Sequence, residues 1–171
     1  MKAAYARAME ALYFICAMVA GLCLVIVTLI IPYGVFTRYV LNSASSWPEP
    51  LAVLLIILFT FIAGAACYRA SVHIAVTMVV DALPPAGGRA ARYARDGVMA
   101  AISLFAVIWG IKLVDVTWSN TIAEFPFLSV GVTYLPIPVG GFITLLFIIE
   151  QVWIGPPDEN SLVHREPVSA D

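Results

Sequence analysis

A chain of 171 residues that is 62% hydrophobic and 12% charged, with a mean hydropathy of +0.96, is excluded from the ordinary water-soluble class, which carries about 45–50% apolar and about 25% charged residues. At about 20 residues per crossing, the length holds four membrane spans with little left for a soluble domain. The formal net charge of -2 points to no partner, and the absence of a basic patch interleaved with aromatics argues against nucleic acid.

No Asp, Glu, Lys or Arg falls between Glu10 and Arg38 or between Glu49 and Arg69, and such runs read as membrane spans. The first is expected over 11–37, tilted or kinked near Pro32. The charged tail before it resembles a secretory leader, but the apolar run is too long and lacks a small-x-small end, so it reads as a retained helix. Span two is expected over 50–68, opened by Pro48 and Pro50, which need no backbone donor in a first turn. It ends in Ala63-Gly64-Ala65-Ala66, small residues that allow another helix to approach closely.

From 70 to 83 the pattern changes. Val72, Val76, Val79 and Leu83 recur on one side and His73, Thr77 and Asp81 on the other, the mark of an amphipathic helix along the membrane surface or continuing span two. Pro84-Pro85 and Gly87-Gly88 are expected to stop it. Span three follows over 96–119, with Lys112 and Asp115 placed for an i, i+3 pair. Pro126, Pro136 and Pro138 interrupt the last apolar run. Residues 121–133 are therefore read as a surface or re-entrant connection and 134–153 as span four. Residues 1–155 form one membrane domain in this reading, and 156–171 a disordered cytoplasmic tail.

Lys2, Arg7, Arg69, Arg89, Arg92, Arg95 and Arg165 share one side if both ends are cytoplasmic, against only Arg38 and Lys112 outside. The expected class is thus an all-α, integral membrane four-helix protein with both termini inside and an amphipathic surface helix between spans two and three.

Chemistry is sparse. Cys16, Cys23 and Cys67 lie in apolar runs, form no Cys-x-x-Cys, and read as small buried hydrophobes. The two histidines, His73 and His164, are badly placed for axial haem ligation, and no phosphate loop, metal cluster or nucleophile–base set is present. No enzyme activity and no cofactor are expected. Ionisable residues map near span ends, not at the midplane where transport sites lie, while Thr28, Thr60 and Ser103 read as bonding within their own helices. What remains is a polar set at span ends: Arg38, Tyr39, Trp47, Glu49, Arg69 and His73. Headgroup anchoring accounts for each singly.

In order, these residues resemble the small, DctQ-type membrane subunit of tripartite ATP-independent periplasmic (TRAP) transporters. The resemblance runs over about 10–153: Arg38-Tyr39, Trp47 and Glu49, Gly64-Ala65-Ala66, Arg69, His73-Ile74, Leu83-Pro84, Tyr134-Leu135 and Pro138-Val139-Gly140-Gly141. It departs where family members often carry further acids, here Pro50 and Thr77. The resemblance implies a scaffold subunit in the bacterial inner membrane, supporting sodium-coupled uptake of an organic acid. A large permease subunit would hold the solute and ion sites, and a periplasmic solute-binding protein would deliver the solute. Candidate contacts with these partners or with membrane lipid are Arg38, Trp47, Glu49, Gly64, Ala65, Arg69, His73, Gly140 and Gly141. From a different class, an independent four-helix channel or an anchoring and assembly protein fits the same hydropathy.

Overall fold

The computed structural model describes residues 2–43, 45–70 and 85–155. The expected amphipathic segment with His73, and the tail after 155, lie outside the described residues. Among the described residues, five helices and one small hairpin follow in chain order: α1 (Lys2–Tyr39), α2 (Pro48–Arg69), α3 (Pro85–Thr117), β1 (Thr121–Ile122), β2 (Phe125–Ser129), α4 (Val130–Tyr134) and α5 (Pro136–Trp153). Four segments of the described residues are long and apolar enough to cross a membrane: Ala4–Tyr39, Pro48–Arg69, Tyr93–Thr117 and Val130–Trp153. The chain is an all-α, four-helix membrane protein.

α1 runs unbroken through Pro32, and its 38 residues reach about 57 Å at 1.5 Å per residue, well beyond a hydrocarbon layer of about 30 Å. Met9, Cys16, Ala20 and Cys23 are buried along it, at the three-, four- and seven-residue spacings of one helix face. Cys67, by contrast, is exposed on α2, which corrects the reading of all three cysteines as buried.

α3 begins eleven residues before the expected start. Pro85 occupies the first helical position, where its fixed φ and missing donor cost nothing, and Gly87-Gly88 sit inside the first turn instead of ending a helix. The connection before α5 is an antiparallel hairpin, pairing Thr121 with Ser129 and Ile122 with Phe125, followed by the single turn of α4. Ser129 fastens it. Its hydroxyl donates to the Trp118 carbonyl at 2.6 Å and accepts from the Gly131 amide at 3.0 Å, while the Val130 amide donates to the Asn120 carbonyl at 2.8 Å.

α1 lies along α2, α2 along α5, and α5 along α3, so α2 and α5 are central and the other two flank them. The buried core gathers toward the end that carries the N-terminus, around Ile62, Ala65, Tyr68, Ile143 and Phe147. Glycine makes these approaches possible. A Cβ on Gly140 would stand 2.8 Å from Phe61 Cβ and 2.9 Å from the Phe61 carbonyl oxygen. One on Gly141 would stand 3.0 Å from the Ser103 carbonyl oxygen, and one on Gly110 would stand 2.8 Å from Pro138 Cδ.

Candidate functional site

Because α2 and α5 both finish at the end where α1 and α3 start, Arg69 and Glu150 meet there. Arg69 Nε donates to Glu150 Oε2 at 2.7 Å and Arg69 Nη2 to Oε1 at 2.8 Å, a two-pronged charge-assisted pair. Both residues are sealed, at 2% and 3% exposure. The guanidinium also lies over the rings of Tyr13, at 5.4 Å, and Phe147, at 5.6 Å. A charge enclosed by hydrocarbon is tolerated only when paired in this way. Among the described residues, Arg69 and Glu150 are the charged side chains in the buried class, and they neutralise one another. Arg69 Nη1 is buried without a hydrogen-bond partner.

A second polar group lies beside the first and ties α3 to the central helices. The Tyr68 hydroxyl donates to Asp96 Oδ1 at 2.9 Å, and Arg95 Nε donates to the same oxygen at 2.9 Å. Arg95 Nη2 donates to Gln151 Oε1 at 2.9 Å, and Gln151 Nε2 returns to the Tyr68 carbonyl at 3.4 Å. Arg95 also lies over the Tyr68 ring at 5.7 Å. At the same end the Tyr5 hydroxyl donates to the Leu146 carbonyl at 3.0 Å, fastening the start of α1 to α5.

At the opposite end, the sequence candidates Arg38, Trp47 and Glu49 come together. Arg38 Nη2 stands 2.9 Å from Glu49 Oε1, with 49% and 74% of the side chains exposed, and Trp47 packs on Tyr33 with ring centroids 5.7 Å apart. Lys112 lies over the Trp109 ring at 4.5 Å, not on Asp115 as its spacing suggested. The hydroxyls of Thr28 and Thr60 donate to the carbonyls of Leu24 and Ile56, at 2.8 and 2.7 Å, as expected of hydroxyls turned back on their own helix.

The small-residue candidates divide. Ala65 is 1% exposed within the chain's own core, and Gly140 and Gly141 are filled by α2 and α3. Only Gly64 faces outward with open space around it. Glu150 was not among the sequence candidates. The signal available was topological: an Arg closing span two and a Glu closing span four must fall on the same side, and a buried charge needs a partner. Among the described residues, no group of three or more His, Cys, Asp and Glu is placed to hold a metal ion.

The family of tripartite ATP-independent periplasmic transporters, DctQ component, matches residues 27–155. A TRAP transporter small permease protein of Haemophilus influenzae is 26% identical over 143 residues, covering 84% of this chain and 86% of that protein. The match takes in three of the four spans in full and both partners of the Arg69–Glu150 pair, and the chain belongs to the DctQ family, the small membrane component of TRAP transporters.

Proposed function

We propose that this subunit supports transport without contacting the solute. It braces a large permease subunit that carries the organic acid and sodium sites, while a periplasmic solute-binding protein delivers the solute. In this reading the chain sits in the bacterial inner membrane with its N-terminus inside, the side favoured by its Lys and Arg distribution. The observation that carries the proposal is the state of its buried charge. Arg69 and Glu150 occupy each other through two short hydrogen bonds and the remaining guanidinium nitrogen, Nη1, is sealed inside the chain, whereas a solute or ion site needs polar groups that the cargo can reach. The flanking helices supply the bracing surface: α1 and α3 present long apolar faces outward, including Phe14, Met18 and Leu22 on one and Ile102, Phe105 and Trp109 on the other.

Liposomes test the division of labour. This chain alone, under an inward sodium gradient and with the binding protein outside, is expected to accumulate no organic acid; addition of the large subunit is expected to start uptake. Sodium-driven accumulation by this chain alone would overturn the proposal.

A further inference from the structure

α1 and α2 close on one another toward the N-terminal end, where Cys16, Ala65 and Ala66 are buried, but toward Arg38 they leave a groove of about 490 Å³. Ile30, Ile31 and Val35 form one wall and Ala52, Val53 and Ile56 the other. One turn in from the mouth Gly34 backs onto Pro48, where a Cβ would come within 3.2 Å of the proline Cβ. Ile31, Val35, Val53 and Ile56 are all about half exposed on membrane-spanning helices, so the groove opens sideways to hydrocarbon and its occupant must present an apolar chain. The mouth is different: Arg38 and Glu49 line it, paired to one another yet largely exposed. An ion pair of that kind is weakly held and exchanges partners readily.

We propose that this groove binds one phospholipid with a phosphate and a primary ammonium in its headgroup. An acyl chain lies between α1 and α2, the phosphate takes the Arg38 guanidinium, and the ammonium takes the Glu49 carboxylate. The charge order selects the headgroup. Arginine matches a phosphate through its fork of donors, but a purely anionic headgroup leaves Glu49 facing like charge. A quaternary choline brings a cation without the N–H donors that a carboxylate accepts. Phosphatidylethanolamine satisfies both rim charges.

The test is lipid retention by the full chain. Purified protein is equilibrated with equimolar phosphatidylethanolamine, phosphatidylcholine and phosphatidylglycerol of identical acyl chains, stripped of loose lipid, and examined by native mass spectrometry. One phosphatidylethanolamine per chain is expected, in clear excess over the other two. Arg38→Gln is expected to lower its retention about tenfold, the range for losing a charge-assisted hydrogen bond. Glu49→Gln is expected to bring phosphatidylglycerol level with phosphatidylethanolamine. Val53→Trp, which fills the groove and leaves both charges in place, is expected to abolish retention of all three. Helical content and elution volume, unchanged in each variant, separate loss of the site from loss of the fold. Equal retention of the three lipids by the wild type, or retention indifferent to all three substitutions, would overturn the proposal. So would a Val53→Trp variant that keeps its lipid and instead fails to co-purify with the large subunit, because the groove would then take a protein helix.

Discussion

Replacing Glu150 with leucine strands the Arg69 guanidinium between Tyr13 and Phe147 with neither of its two carboxylate bonds. Both members of the pair are almost fully enclosed. At a charge separation of about 4 Å and an effective dielectric of about 20, the attraction lost is about 4 kcal/mol, in line with the 3–5 kcal/mol, roughly, for breaking one side of a buried pair. At about 1.4 kcal/mol per tenfold, that is a loss of two to more than three powers of ten in the folded-to-unfolded ratio. The paired replacement Arg69→Leu with Glu150→Leu removes both charges together. It is expected to recover most of the loss, since apolar substitutes for buried ion pairs are neutral or stabilising by about 1–4 kcal/mol. Unfolding in mixed micelles by titration with sodium dodecyl sulfate, followed by circular dichroism, measures all three proteins. A Glu150→Leu loss below about 0.5 kcal/mol would refute the reasoning, because it would mean that the guanidinium reaches water or lipid phosphate on its own. A double variant as unstable as the single one would refute it equally.

Other substitutions separate internal packing from outward faces. Gly140→Ala places a methyl group against Phe61 backbone and is expected to cost about 1–3 kcal/mol in the same titration, whereas Gly64→Ala, with open space around it, is expected to leave stability unchanged or slightly raised. Ala65→Leu overfills the chain's own core, so the isolated subunit is expected to lose about 1–3 kcal/mol; an unchanged isolated subunit that no longer joins its complex would place Ala65 at an outer interface. Tyr68→Phe removes one donor to Asp96 and is expected to cost about 1 kcal/mol, read out as earlier loss of α3 protection in hydrogen exchange. A double-mutant cycle on Arg38 and Glu49 is expected to give less than about 1 kcal/mol, since that pair is exposed.

The spans were legible because charge is confined to their ends. Arg38, Glu49 and Arg69 mark those boundaries to within a residue or two, and the Pro48-x-Pro50 start needed no alternative. Trp47, Arg38 and Glu49 were legible as a group because one short connection holds them together. Three features were not. α3 begins at Pro85 because glycines in a first turn are cheaper than their reputation as helix stops suggests, and local composition does not reveal which role they take. The hairpin at 121–129 is held by Ser129 reaching back to the Trp118 carbonyl, a contact that depends on how α3 ends. Gly140, Gly141 and Ala65 read from the sequence as contacts with a partner, but hydropathy does not say whose helix arrives. In the folded chain Gly140 and Gly141 meet α2 and α3, while Ala65, on α2, lies in the core that α1, α2 and α5 share. Arg69 illustrates the same limit: at a span end it reads as a headgroup anchor, and its pairing with Glu150 followed only once α2 and α5 lay side by side.

Uptake by the reconstituted large subunit, measured with and without this chain at matched protein density and with saturating binding protein, tests the supporting role most directly. A subunit that braces without carrying predicts that uptake collapses when the chain is left out, and returns when either the wild-type chain or the Arg69→Leu, Glu150→Leu double variant is supplied. Full uptake without the chain would contradict the account. So would a folded double variant that assembles with the large subunit yet supports no transport, because the buried charges would then belong to the transport step itself.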